Sequence, residues 1–291
     1  MKRLAVITMV FNESFHLPFW LQYYSRQVDD PSDIYILDHG SNDCSTGFLN
    51  KKINLRRLTR DSYLNDMERQ RSEEISCLAS KLMSKYRSVI YVDCDEFLVV
   101  DPRLAGSLAS FGESSGHTGV ISAIGFNLLH DYSKEKDLKY GDLISENRSK
   151  LYLTSSMFKA SLGISNQSIK WHDGFHFSNQ PPQFTDLYLF HTKFVDLRQG
   201  LKRLELTRNL QDQPRLDQAE HQRVSDHQYQ YWIDQMLGCP LDKGEIGLSN
   251  PEIRDLLNNL EITKPDKFYQ FPLNQTTGKT YELPERFKGL F

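Results

Sequence analysis

The run Val89-Ile90-Tyr91-Val92-Asp93-Cys94-Asp95-Glu96-Phe97-Leu98-Val99-Val100 sets three carboxylates inside an apolar, β-branched stretch. Residues of that kind read as a strand buried in a sheet, where an unpaired carboxylate is costly to desolvate. The acids therefore demand partners. Two acids spaced i, i+2 at the C-terminal edge of a strand point the same way, so Asp93 and Asp95 can jointly hold a hard divalent cation. Such a site suits a metal-bound phosphate ligand.

The residues leading to this run alternate strand-like and helix-like patterns. Leu4 to Phe11 is β-like, and Ser14 to Arg26 is helical with Pro18 near its front. Asp33 to Asp38 is a second strand ending on an acid, His39-Gly40-Ser41-Asn42-Asp43 is a turn cluster, and Asp66 to Tyr86 is a long helical pattern. Strands alternating with helices predict an α/β chain with a mostly parallel, Rossmann-like central sheet flanked by helices. Ligands of such sheets sit at the C-terminal strand ends, where Asn12, Asp38 and Asp93 would gather. After Pro102 the segments turn mixed and aromatic-rich: a strand over Gly119 to Asn127, a polar loop over Asp131 to Ser149 that reads as a mobile lid, and strand-like stretches at Leu151 to Lys159 and Leu187 to Val195. Gln199 to Asn209 and Asp217 to Leu237 read as helices, and the proline- and aromatic-rich end as irregular but packed. Residues 1–125 are thus expected to bind the ligand, 126–210 to close the site, and 211–291 to form a helical and irregular extension.

At 291 residues and a net charge of -3, with no concentrated basic run, nucleic acid and anionic membrane are poor main partners. Four scattered cysteines form neither a C-x-x-C pair nor a disulfide scaffold, which favours the reducing cytoplasm. Met1 to Phe11 reads as a first strand, because Asn12 and Glu13 interrupt it and no cleavage site follows. No apolar run approaches the ~20 residues that cross a bilayer. The aromatic-rich tail leaves peripheral contact with the inner face of a membrane open.

Four segments in order, Thr8-Met9-Val10-Phe11-Asn12-Glu13, Ile36-Leu37-Asp38-His39-Gly40-Ser41-Asn42-Asp43, Arg69-Gln70-Arg71 and Asp93-Cys94-Asp95-Glu96-Phe97, resemble the family-two type of glycosyltransferases with a GT-A fold, particularly the bacterial branch related to family 92. The likeness covers the first third firmly and the middle third weakly, through Trp171-His172-Asp173-Gly174 and His191. It implies a hexosyltransferase-like enzyme that moves a sugar from a nucleotide-diphosphate donor to a hydroxyl of a glycan or other acceptor, by direct displacement with inversion, in bacterial surface glycan synthesis. Asn12 and Glu13 would line the nucleotide pocket, Asp38 would accept hydrogen bonds from base or ribose, and Asp93 would contact ribose or metal. Asp95 would bind the Mn2+ or Mg2+ that bridges the diphosphate, with Glu96 behind it or facing the acceptor. His39 stands where the family usually has a second acid.

Other candidates come from the residues themselves, each beside a plainer reading. Asp38 before Gly-Ser-Asn-Asp also fits an Asx-type turn. Arg71 is either a phosphate contact or one member of a charged helix face. His191 interrupts an apolar run, as a hydrogen-bonded core residue or as a third metal ligand beside the acids, and Lys193, two residues on, would reach a diphosphate from the same strand face. In Lys170-Trp171-His172-Asp173-Gly174-Phe175-His176-Phe177, aromatic rings that can stack on sugars surround Asp173, the candidate general base, with His172, His176 and Asp186 behind it. The plainer reading there is an aromatic packing loop. His221 and His227 fit a solvated helix face. Two rival functions remain: an aspartate-dependent phosphohydrolase with Asp93 as nucleophile, although Phe97, Leu98 and Val99 stand where a hydroxyl is needed, and a non-catalytic carbohydrate- or nucleotide-binding protein. A nucleotidyltransferase lacks its Gly-rich, basic start.

Overall fold

Strand β1 (Lys2–Val10) alternates between two apolar layers, as a buried strand's two-residue period requires. Leu4 and Val6 face the larger core, which includes Trp20 and Tyr24 of α1 (His16–Tyr24). Ala5 and Ile7 face a second core, built with Ile75 and Ala79 of α2 (Met67–Leu82). In this computed structural model residues 1–59, 67–164, 168–209 and 224–291 are described. Strand β1 lies between β2 (Ile34–Asp38) and β4 (Tyr86–Tyr91), and β3 (Asn54–Arg57) pairs with β2, all in parallel. The expected alternation of strand and helix thus gives the expected parallel layer over the first ninety residues.

Beyond β4 the expectation of a mostly parallel sheet is corrected. Strand β5 (Glu96–Val100) runs antiparallel to β9 (Phe184–His191), and β8 (Leu162–Ile164) runs antiparallel to both β4 and β6 (Gly119–Leu129). Strand β6 pairs with β7 (Lys150–Leu153) antiparallel and with β9 parallel, while β11 (Thr280–Glu282) joins β7 to β10 (Leu241–Asp242). Parallel neighbours need a long crossover, and in this half the chain mostly reverses through loops instead. Residue 125, the expected end of the first unit, lies within β6, whose 11 residues are all buried.

The strand leading to the acids stops at Tyr91, and a second strand begins at Glu96. Glu96 N donates to Asp93 O (3.0 Å), closing a turn that hands the chain from parallel β4 to antiparallel β5. Helix α1 clamps β5 in place: Leu98 N donates to the Tyr24 hydroxyl (2.8 Å), which donates to Glu96 O (3.1 Å).

One expectation about the second half changes and one holds. The loop after β6 is anchored rather than free, because fully buried Arg148 donates to Val195 O (2.5 Å) and Lys136 O (3.0 Å), and Leu138 N to Asp196 Oδ2 (2.8 Å). The aromatic tail is packed into the core, as expected. Phe291 stacks on Phe97 and Phe190 at 5.2 Å, Phe287 packs edge-on to Tyr188, and Tyr281 is buried in β11. Among the described residues, exposed aromatic side chains include Phe48, Tyr140 and Tyr231. Among the described residues no helix is long and apolar enough to cross a membrane. Helices α5 (Leu197–Asn209) and α6 (Asp226–Leu237) match the expected helical patterns; His221 and the stretch from Asp217 to residue 223 lie outside the described residues, as does Asp66 before α2.

Candidate functional site

The Asp93-Cys94-Asp95-Glu96 turn projects its four side chains in different directions. Cys94 points into the core, where burial pushes its thiol pKa up. Asp93 turns toward α2. Its Oδ1 accepts from the Tyr91 hydroxyl (2.6 Å) and pairs with the Arg71 guanidinium, while its Oδ2 lies 2.9 Å from Lys159 Nζ. Burial alone would raise this carboxyl's pKa, but Arg71 and Lys159 outweigh it and hold it at about 2.

Glu96 is 1% exposed and turns back under the loop: its Oε2 accepts from Asp93 N (3.0 Å) and its Oε1 lies 2.5 Å from Lys159 Nζ. Its pKa stays above the ordinary range, because desolvation outweighs the lysine. Asp95 is the most exposed acid of the trio, with 29% of its side chain exposed against 23% for Asp93, and its Oδ2 lies 3.3 Å from His191 Nε2. Burial opposes its ionisation, yet His191 holds its pKa well below the carboxylate range.

His191 ends β9 directly across from Glu96 on β5, and beside Asn127 on β6. Its Nδ1 donates to Asn127 Oδ1 (2.8 Å), an acceptor only, so the hydrogen bond fixes the ring's orientation and leaves Nε2 facing Asp95. Ligand atoms of Asp95, Glu96 and His191 all fall within 4.8 Å of one another. Hard carboxylate oxygens with one imidazole suit Mn2+ or Mg2+, so the donor chemistry fits the expected cation. A second cluster, His130, Asp137 and Asp196, has similar spacing. There both imidazole nitrogens are already engaged, Nε2 with Glu135 O (3.1 Å) and Nδ1 with Leu197 N (3.1 Å), which makes His130 a loop anchor.

The loop after β1 forms the neighbouring wall. Asn12 adopts a left-handed backbone (φ 52°), tolerable for asparagine, and exchanges hydrogen bonds with Asn42 and Ser41. Glu13 Oε1 pairs with Arg203 of α5 (2.7 Å), and its Oε2 accepts from His16 Nδ1 (3.2 Å). Burial lowers the His16 pKa, but Glu13, with Asp95 beyond it, raises it on balance. Asp38 is fully buried: its Oδ1 accepts from Ser41 N (2.8 Å) and its Oδ2 from the Thr46 hydroxyl (3.1 Å). This is the Asx-type turn, and it shapes the loop that grips Asn12.

Arg71 also stacks over Phe175 (4.8 Å), whose ring lies 4.1 Å from Tyr91. That contact brings the Trp171 to Phe177 segment against α2, with Gly174 and Phe175 both at positive φ. Asp173 Oδ1 accepts from the Ser72 hydroxyl (3.3 Å), one residue from Arg71 on α2, while His172 packs edge-on to Phe268 (5.2 Å) and His176 Nδ1 donates to Ser156 O (2.7 Å). Asp186 lies away from this segment, accepting from the Tyr188 hydroxyl and Leu248 N. Lys193 does not share a strand face with His191. The strand stops at His191, since Thr192 N and its hydroxyl both donate to Asp95 O (2.7 and 2.8 Å), and Lys193 turns over the rings of Phe194 and Trp232. Burial lowers its pKa.

Four participants escaped the sequence patterns. His16 had a visible signal, an imidazole three residues after Glu13 at helical spacing. Asn127 and Lys159 each interrupt an apolar stretch. Nothing in the linear sequence marks Arg203, which reaches the loop from 192 residues away by donating to Phe11 O (2.8 Å).

No protein-family model matches the sequence, and no curated protein matches it either. Among solved structures, the chain is similar to the mannosyltransferase PcManGT from Pyrobaculum calidifontis in complex with GDP-Man and Mn2+, at 10% identity and a TM-score of 0.35, over 79% of this chain and 69% of that one. It is also similar to residues 1–349 of S. aureus TarS, at 13% identity and a TM-score of 0.34, over 76% of this chain and 68% of that one. TarS in complex with UDP-GlcNAc aligns at 12% identity and a TM-score of 0.33, over 76% and 69%.

Proposed function

We propose that this protein is a cation-dependent glycosyltransferase that moves a sugar from a nucleoside-diphosphate donor to a hydroxyl acceptor. One observation carries the reading: Asp95 and His191 meet beside the Asn12-Glu13 loop, at the end of the sheet where β1, β2 and β4 all terminate. That edge is where parallel sheets receive nucleotides. Asp95 and His191 would hold the cation, His191 being oriented by Asn127. A divalent cation held there would supply charge neutralisation for a departing diphosphate.

The chain's own groups supply the remainder. Asn12 and the loop shaped by Asp38 offer a rigid wall for the nucleoside, and Glu13 is held by Arg203 and His16. Arg71 and Lys159 bring positive charge to the same edge. Asp173, with His172 beside it, is the acceptor-side base in this reading, supported by its tie through Ser72 to the helix that carries Arg71. Direct displacement with inversion and the surface-glycan setting rest on the family resemblance. The hydrolase alternative has less support, since both oxygens of Asp93 are already bonded.

A thermal-shift panel of nucleoside diphosphates with and without Mn2+ tests the proposal. A ligand that binds only the native state raises the melting temperature, so one base should give a shift that needs the metal. No shift by any nucleoside diphosphate, with or without Mn2+, overturns it.

A further inference from the structure

Within the acidic turn the charge is already partly neutralised from inside. Lys159 Nζ sits between Asp93 Oδ2 (2.9 Å) and Glu96 Oε1 (2.5 Å), and is 6% exposed. Arg71 and Tyr91 take the other oxygen of Asp93, and Asp93 N takes the other oxygen of Glu96. All four carboxylate oxygens of these two residues therefore have partners, whereas Asp95, the most exposed of the three acids, faces the imidazole of His191. Lys159 is not a side chain that happened to swing in. Its carbonyl accepts from Ala123 N on β6 (3.0 Å) and from Ser161 N (2.9 Å), so the backbone is pinned where the ammonium must lie.

We propose that Lys159 is a positioning residue that withholds Asp93 and Glu96 from the cation, so that the protein alone offers one carboxylate and one imidazole and binds metal weakly until a diphosphate supplies further oxygens. The affinity of a hard cation rises with the number and charge of its oxygen ligands, and an adjacent ammonium subtracts from both. Cation and nucleoside diphosphate then enter as a pair, and metal is not sequestered by the empty enzyme. This inference rests on the transferase reading for the identity of the diphosphate, but its central claim concerns metal binding without nucleotide.

The geometry makes a counterintuitive prediction. Because Glu96 lies in the same 4.8 Å cluster as Asp95 and His191, freeing it should complete a three-ligand site. Lys159→Met is expected to bind Mn2+ alone about tenfold more tightly than the native protein, read by electron paramagnetic resonance of free Mn2+. Lys159→Arg should restore the weak native binding. In the native background Glu96→Gln should leave the Mn2+ affinity within about twofold, whereas in the Lys159→Met background it should cancel the gain. A purely structural lysine would yield no tightening. The proposal is overturned if folded Lys159→Met binds Mn2+ no more tightly than the native protein. It is equally overturned if the native protein binds Mn2+ tightly without nucleotide and Glu96→Gln weakens that binding, a test that stands even where Lys159→Met does not fold. Failure of every nucleoside diphosphate to bind would defeat the transferase reading instead, and leaves these metal-only comparisons intact.

Discussion

Three acids within four residues play three roles, and the division follows from what each carboxylate meets. Asp93, with 23% of its side chain exposed, is compensated by two cations, and Glu96 is buried under the turn it closes. Asp95 keeps solvent access and an imidazole partner. Asp95→Asn is accordingly expected to leave the fold intact while abolishing the Mn2+-dependent part of any nucleotide-induced thermal shift; a shift of native size in that variant would remove Asp95 from the cation site. Arg71→Met strands Asp93 beside Lys159 and leaves Tyr91 without its guanidinium partner. Breaking this partly buried ion pair should cost about 1–3 kcal/mol, between the exposed and the fully buried cases, measurable as a lowered urea midpoint. A change under about 0.5 kcal/mol would make Arg71 a surface residue in energetic terms.

At the scale of elements, the site depends on a close approach that glycine permits. On β6, a Cβ at Gly125 would collide with the backbone carbonyl of Met157 in the short 3-10 turn Ser155–Met157, two residues before Lys159. Gly125→Ala should therefore push that turn off the sheet, destabilise the protein by about 1–3 kcal/mol, and disturb the lysine's position. Guanidinium unfolding with the Mn2+ titration above reads both effects, and an unchanged midpoint would contradict the packing. The C-terminus behaves as core of the same kind. Phe291 is stacked on β5 and β9, and its carbonyl accepts from Ser145 N and the Ser145 hydroxyl. Phe291→Ala should cost about 3 kcal/mol of stability, against near-neutrality for a loose appendage.

For the whole molecule, acid should act through the same turn. Asp93, at about 2, and Asp95, lower still, have folded pKa values below the unfolded carboxylate range. Groups depressed in this way contribute stability that is present above about pH 4 and lost as pH falls through their folded values, toward about pH 2. Glu96 opposes the trend, because its folded pKa is raised and protonation relieves its burial. The net expectation is a fall in unfolding free energy from pH 5 to pH 3 that is shallower in Asp95→Asn, checked by urea unfolding across that range. An equal slope in both proteins would show that the turn does not govern acid stability.

The sequence by itself determined the local parts. Period-two burial made β1, apolar spacing made α1 and α2, and the alternation of the two made the parallel layer whose C-terminal edge collects Asn12, Asp38 and the acidic turn. These features depend on near neighbours, which a linear pattern records. Tertiary structure alone decided the rest. An apolar run cannot tell a continuous strand from two strands joined by a turn, because both bury the same side chains; pairing with β9 made the break after β4. Which acid stays free depended on Lys159 and Arg71 arriving from 66 and 22 residues away, and the orientation of His191 depended on Asn127 from 64. Charge compensation is a property of distance in space, and spacing along the chain does not encode it.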